Sequence, residues 1–213
     1  MHFPMISKLP QPEIDKTGWP WTEASDPVPD CMPDCSPWPK VSIVTPSFNQ
    51  GQYLEETIRS VLLQGYPNLE YIIIDGGSTD GSLEIIKKYE PWIDYWVSEK
   101  DRGQSHAINK GFKRASGLIG GWINSDDLFL QNAFNEAAKI FHAANPDPDI
   151  LSGITLVTDG NLNINKGFDA GDFTINALLH KDIIPQQSTF FKINCFRNVG
   201  GLNERYQYAM DYD

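Results

Sequence analysis

Cationic residues are scarce in this chain. Seventeen Lys and Arg stand against 28 Asp and Glu over 213 residues, a formal net charge of −11. That balance argues against general affinity for nucleic acid or anionic membrane surfaces, while leaving room for a local basic pocket that meets a diphosphate. Cysteine is sparse too: three residues leave one over in any disulfide framework. Cys31 and Cys35 form a CxxxC pair without the two further ligands a structural zinc needs, so reduced thiols are expected. No apolar run approaches the roughly 20 residues that span a bilayer. The N-terminus carries no charged-then-apolar leader, and no Asn-x-Ser/Thr acceptor occurs. The expected compartment is therefore the cytoplasm. GxGxxG, GxxxxGK[ST] and GxSxG are all missing, and the four histidines show no metal spacing. Standard dinucleotide, P-loop and nucleophilic-hydrolase chemistries lose their main support.

The length allows one substantial core. Residues 1–40 read as an arm, because Pro20, Pro27, Pro29, Pro33, Pro37 and Pro39 discourage helix and central strand. Trp19, Trp21 and Trp38 supply apolar surface there, so an arm packed on the body or a partner competes with a disordered tail. From Val41 the pattern alternates strand and helix, which predicts an α/β fold with a mostly parallel sheet. Strands are expected at Val41–Val44 (stopped by Pro46), Leu69–Ile74, Ile93–Val97, Leu118–Ile123, Ile150–Val157 and Ser188–Ile193. Helices are expected over Leu54–Leu62, through Ile86 and Tyr89, over His106–Arg114 and from Leu130 to Phe141. Asp159-Gly160 and Gly200-Gly201 read as turns. The chain stops at Asp213 inside what reads as a starting helix, which suggests a fragment of a longer protein.

Two strand tips carry carboxylates, Asp75-Gly76-Gly77-Ser78 and Asn124-Ser125-Asp126-Asp127. Ligands of open α/β sheets bind in the crevice outside such carboxyl ends. Asp75, followed by glycines that permit close approach, suits acceptance of a uracil imide N–H; a helix-capping Asp in a βα turn is the structural alternative. Asp126 and Asp127 suit Mg²⁺ or Mn²⁺, which take hard oxygen ligands together with a substrate's own phosphates. A solvated pair capping the next helix is their alternative. Arg102 could meet a diphosphate on the same rim, or form a surface salt bridge with Asp101 or Glu99.

In their order these segments resemble family 2 glycosyltransferases of the GT-A fold, a Rossmann-like αβα sandwich. The resemblance rests on Val41-Ser42-Ile43-Val44-Thr45-Pro46-Ser47-Phe48-Asn49, the loop from Asp75 to Ser82, and Asp101-Arg102-Gly103 leading to Ala107-Ile108-Asn109-Lys110-Gly111. It continues through Asn124-Ser125-Asp126-Asp127, Gly200-Gly201-Leu202-Asn203-Glu204 and Met210-Asp211-Tyr212-Asp213. It implies a catalytic domain over residues 41–213 that moves a sugar, with inversion, from a nucleotide-sugar donor to a hydroxyl. By resemblance Pro46, Phe48 and Asn49 line the nucleobase pocket, Asp75 bonds the base, and Ser78, Arg102, Asn124 and Asp126 complete the nucleotide site. Asp126 carries the metal with Asp127 in support. Asn124 stands where the DxD motif commonly begins with Asp, and Phe48 where Tyr is usual. Asp211 falls at the catalytic base, with Met210 in place of the preceding Glu. A UDP-linked donor, a glycan or lipid-linked acceptor, and peripheral association at the cytoplasmic face of the membrane are further implications. A phosphatase of the haloacid-dehalogenase kind would need DxDx[TV] after the first strand, where Thr45-Pro46-Ser47 stands instead. A non-catalytic module that binds a sugar nucleotide or a protein is the other alternative.

Overall fold

The computed structural model describes residues 4–159, 163–168, 174, 176, 180 and 184–206. Asp211, the expected base, and the Asp159-Gly160 turn's second residue lie outside the described residues. In chain order the elements are β1 (Val41–Ser47), α1 (Gly51–Leu62), β2 (Leu69–Asp75), α2 (Ser82–Tyr89), β3 (Tyr95–Ser98), α3 (Gln104–Arg114) and β4 (Ile119–Trp122). There follow α4 (Ala133–Ala143), β5 (Ile150–Ser152), β6 (Thr155–Thr158), β7 (Ile164–Phe168), β8 (Thr189–Lys192) and α5 (Ile193–Asn198).

Six strands form one sheet in the order β3-β2-β1-β4-β8-β5. β3, β2, β1 and β4 run parallel, and β8 pairs antiparallel with both β4 and β5. The apolar runs of β1 and β2 are buried on both faces, as parallel strands covered by helices require. Val41, Ile43 and Ile73 face a core shared with α1, α2 and α4, whereas Val44, Ile72 and Ile74 face Ile108 and Phe112 of α3. Each fully buried Ile or Phe contributes roughly 1.5–3 kcal/mol of transfer free energy, which fixes the register. Chain order reverses between β1 and β4, so the switch-point crevice opens at their carboxyl ends, where a ligand is expected.

Four expectations are corrected. Pro46 does not stop β1, which continues to Ser47. The carbonyl of Val44 accepts from the N–H of Ile123 beyond β4, so by alternation Pro46 faces that same edge. No strand residue remains there to need its missing donor. The run Ile150–Val157 is two strands in different sheets, parted at Gly153, with β6 pairing β7. α4 begins at Ala133 rather than near Leu130, because Asn132 before it adopts a left-handed φ of 66°. Ile193 opens the short helix α5 instead of ending a strand.

The arm is packed on the body. Leu9, Met32 and Trp38 belong to the same buried cluster as β1 and α1. All three arm indoles donate hydrogen bonds: Trp19 to the Phe129 carbonyl (2.9 Å), Trp21 to Glu56 (3.0 Å) and Trp38 to the Pro29 carbonyl (2.7 Å). Arg59 of α1 is fully buried beneath the arm and donates to the carbonyls of Pro10, Pro20 and Trp21 and to the Tyr89 hydroxyl. A guanidinium is buried at low cost only when its donors are met, and here arm carbonyls meet three of them. Gly65, at φ +64°, ends α1; a Cβ there would lie 2.8 Å from the Asp26 carbonyl oxygen of the arm.

Candidate active site

The loops after β1 and β2 are stitched together. Asn49 takes a left-handed φ of 53°, tolerable for Asn, and its N–H donates to Ser78 Oγ at 2.8 Å. The Asn49 side-chain oxygen accepts from Thr79 N at 2.9 Å. Asp80 accepts from the N–H groups of Gly51 and Ser82, so one carboxylate serves the N-termini of both α1 and α2. This leaves Phe48 standing 61% exposed at the carboxyl end of β1, beside buried Pro46. An aromatic ring so exposed offers a face on which a planar base can stack.

Asp75 is deeply embedded in its own loop. It is 0% exposed, and its carboxylate accepts from Gly77 N (3.1 Å), Ser78 N (2.9 Å), Ser78 Oγ (2.5 Å) and Ser98 Oγ (2.5 Å). Three of these bonds share Oδ2 and one reaches Oδ1. These bonds pin the loop, as the capping alternative had it, and Oδ1, with one donor, keeps room for another. Ser78, expected at the nucleotide, spends its hydroxyl on the same network.

The β4 tip is differently made. Asp126 is exposed and, among the described residues, accepts a long hydrogen bond, 3.3 Å, from Gln50 Nε2 after β1. Asp127 lies mostly buried behind it. Burial first, and the neighbouring Asp126 charge second, push its carboxyl up to about 6, against weaker opposing bonds from Gln187 and Asn124. Asn124 donates to Asp127 at 3.3 Å and accepts from Gln104 Nε2 of α3 at 2.5 Å. Being neutral, it supports the acidic pair without adding a third like charge. Gln186 anchors the segment from below, donating to the Trp122 carbonyl at 2.6 Å. Sequence reasoning missed Gln50, Gln104, Gln186 and Gln187. Their only signal was position: two follow the quoted β1 and Asp101-Arg102-Gly103 segments, and two form a doubled glutamine after Pro185.

Among the described residues no group of three or more His, Cys, Asp or Glu could by itself hold a metal. The pair Asp126–Asp127 nevertheless fits Mg²⁺ or Mn²⁺, which often take one or two carboxylates and complete their shell with phosphate and water. A largely buried acid whose carboxyl is pushed up by burial and by a like charge, despite bonds from Gln187 and Asn124, is the observation that favours a cation here. Arg102 is paired with Glu204 rather than with Asp101 or Glu99. That pairing, with further bonds of Glu204 and Leu202 to Asn109, folds the Gly200-to-Glu204 segment onto α3.

The profile of glycosyl transferase family 2 matches residues 42–197. The chain belongs to that family. An uncharacterized glycosyltransferase of Mycobacterium tuberculosis, Rv1514c, is 30% identical over 178 residues, covering 82% of this chain and 67% of its own length. TuaG of Bacillus subtilis, named for teichuronic acid biosynthesis, is 42% identical over 98 residues, 44% of this chain and 38% of TuaG. Among solved structures, TarS 1–349 of S. aureus in complex with UDP superposes with a TM-score of 0.66 at 20% identity, over 81% of this chain and 53% of that one. The mannosyltransferase PcManGT of Pyrobaculum calidifontis, with GDP-Man and Mn²⁺, gives 0.59 at 24%, over 82% and 50%. At these identities the structures establish the shared GT-A fold alone. The chain spans about half the length of these solved relatives.

Proposed function

We propose that this family 2 domain is the donor-binding and catalytic part of an inverting glycosyltransferase that uses a nucleoside diphosphate sugar, UDP-linked by preference, to build a polysaccharide or cell-surface glycan. The observation that carries this reading is the β1/β4 crevice. It sets an exposed aromatic, Phe48, on one loop and a cation-seeking acidic pair, Asp126–Asp127, on another that Gln50 ties to the first. The names of TuaG, of TarS with UDP and of PcManGT with GDP-Man and Mn²⁺ support the same class.

In this reading Phe48 and Pro46 cover the base, and Asn49 and Ser78 hold the loop that shapes its pocket. Asp126 and Asp127 would hold Mg²⁺ or Mn²⁺, which supplies neutralising charge for a departing diphosphate. Arg102 would exchange Glu204 for phosphate oxygens, to which its planar fork is suited. The acceptor oxygen attacks the anomeric carbon as the bond to the diphosphate oxygen breaks, and Asp211 takes the hydroxyl proton. A single displacement inverts the carbon and needs no enzyme nucleophile. Among the described residues no helix is long and apolar enough to cross a membrane. A lipid-linked or glycan acceptor at the cytoplasmic face suits the reading.

Thermal melting of the chain with UDP-, dTDP- and GDP-sugars, with and without Mn²⁺, tests the donor. A ligand at 100 times its Kd should stabilise by roughly 2.7 kcal/mol. No shift with any donor would refute the reading; a shift without transfer to any acceptor would leave a binding module.

A further inference from the structure

The N-terminal arm covers part of the core and also reaches the reaction crevice. We infer that the cleft leading from Asp126–Asp127 to the β6–β7 hairpin is an acceptor subsite, completed by the arm, that takes an uncharged saccharide and rejects an anionic one. The inference rests on the nucleotide-sugar reading above and deepens it.

The cleft holds about 1000 Å³, at the upper end of the roughly 300–1,000 Å³ of ligand clefts. It is lined by the acidic pair, by Ile140 of α4 and by Leu156 and Ile164 of the hairpin. The arm builds one end. Trp19 lines it, with its indole N–H tied to the Phe129 carbonyl at 2.9 Å. The arm holds the loop after Asp127 at two further points: Gln131 Nε2 donates to the Ala24 carbonyl (3.1 Å) and Asn132 N to Ser25 Oγ (3.0 Å). Trp21 donates to Oε1 of Glu56, another lining residue, at 3.0 Å, and Glu56 Oε2 has no partner among the described residues. The arm precedes residues 42–197, so this end of the cleft lies outside what the family profile matches.

The charge of the cleft is one-sided. Glu56, Asp126, Asp127, Glu136 and Asp159 line it, and no Lys, Arg or His does among the described residues. A cation at Asp126–Asp127 would cancel two of these charges, and Glu136 is paired with Lys139 at 3.0 Å. Glu56 has no ion-pair partner among the described residues. An ionised carboxylate only accepts hydrogen bonds, which suits hydroxyl groups and repels a uronate or a phosphate. A pyranose joins a rim of hydroxyls to an apolar face of C–H groups. The cleft offers a counterpart to each, carboxylates together with the rings of Trp19 and of Tyr53, which is 44% exposed. An alkyl chain would strip water from the same carboxylates and return no hydrogen bond. The occupant that fits is a sugar without charge.

NMR titration of the full 213-residue chain with UDP or GDP and Mg²⁺ present tests the assignment, read at the Trp19 indole N–H. The probes are uncharged disaccharides of glucose, galactose, mannose and N-acetylglucosamine, each beside its counterpart oxidised to a terminal uronic acid, and octanol as the alkyl probe. At least one uncharged disaccharide should shift the Trp19 signal and bind about 10-fold tighter than its acidic counterpart at low salt. The gap should narrow in about 0.5 M NaCl, where exposed charges are screened. These readouts use the unmutated protein, whatever the folding of any variant. Glu56→Gln keeps an oxygen for Trp21 and should weaken the uncharged sugar about 3- to 10-fold and the acidic one less. Equal affinity within every pair overturns the inference, as do equal weakening of both members by Glu56→Gln and octanol binding tighter than every sugar. A chain that binds a nucleotide but none of the sugars refutes the subsite alone. One that binds neither nucleotide refutes the nucleotide-sugar reading itself.

Discussion

The strand tips of β2 and β4 each bring carboxylates to the same crevice, and their surroundings are opposite. Asp75 is completely buried and accepts four hydrogen bonds, two from backbone N–H groups and two from serine hydroxyls. Asp127 is mostly buried with a long bond from Asn124, help from Gln187, and a like charge beside it. Burial of a charge is tolerable when hydrogen bonds replace water, as at Asp75, and costly when they do not. The well-bonded acid holds the scaffold. The acid with fewer bonds and a like charge beside it is where a cation would gain most.

Removing the well-bonded acid should have the largest effect. Asp75→Ala strands the N–H groups of Gly77 and Ser78 and the Ser98 hydroxyl, each costing roughly 1–3 kcal/mol when left buried and unpaired. A loss of about 3–6 kcal/mol in urea unfolding is expected. Parental stability in that variant would break the contrast at its first term.

Asp127→Asn should move stability the other way. Its folded-state carboxyl titrates at about 6, above the ordinary 3.8, so the folded chain holds this proton more tightly than the unfolded one. The contribution is full below about pH 4 and is lost as pH rises through about 6. At pH 7.5 the metal-free Asn variant should gain up to about 3 kcal/mol over the parent, a gain that vanishes near pH 4. Mn²⁺ should stabilise the parent at pH 7.5 more than at pH 5 and should scarcely affect the variant. Melting curves at the two pH values, with and without EDTA, decide it.

A third carboxylate sharpens the comparison from outside the described residues. If Asp211 is the base, Asp211→Asn keeps donor binding and loses transfer by at least about 10²-fold. Asn is itself a good helix cap, so near-parental transfer would remove Asp211 from the mechanism.

The smallest effect on stability belongs to Asp126. Being exposed, it should change unfolding by no more than about 0.5 kcal/mol when replaced by Ala. That variant should nonetheless lose the metal-dependent part of UDP binding in calorimetry. Equal affinity with and without EDTA in parent and variant would take the cation away from the β4 tip.

Much of this was legible in the residues themselves. The β-branched runs of β1 and β2 and the helical spacing of Leu54, Ile58, Val61 and Leu62 set the alternation, because burial on two faces or one leaves a period that needs no tertiary knowledge. The order of the acidic tips located the crevice through the sheet's handed connections. From Ile150 onward the signal failed: β5 and β6 are short and β7 is exposed, so no period separates two strands of different sheets from one.

What the sequence determined by itself, then, is the α/β frame, the family and the set of polar residues gathered at the carboxyl edge. Those follow from local periodicity and from motifs that survive without coordinates. Only the tertiary structure decided which of those residues are already engaged. Ser98, 23 residues away, takes an oxygen of Asp75, and Glu204, 102 residues away, takes Arg102. Hydrogen-bond partnership is a property of neighbours distant in the chain, and no spacing within a motif encodes it.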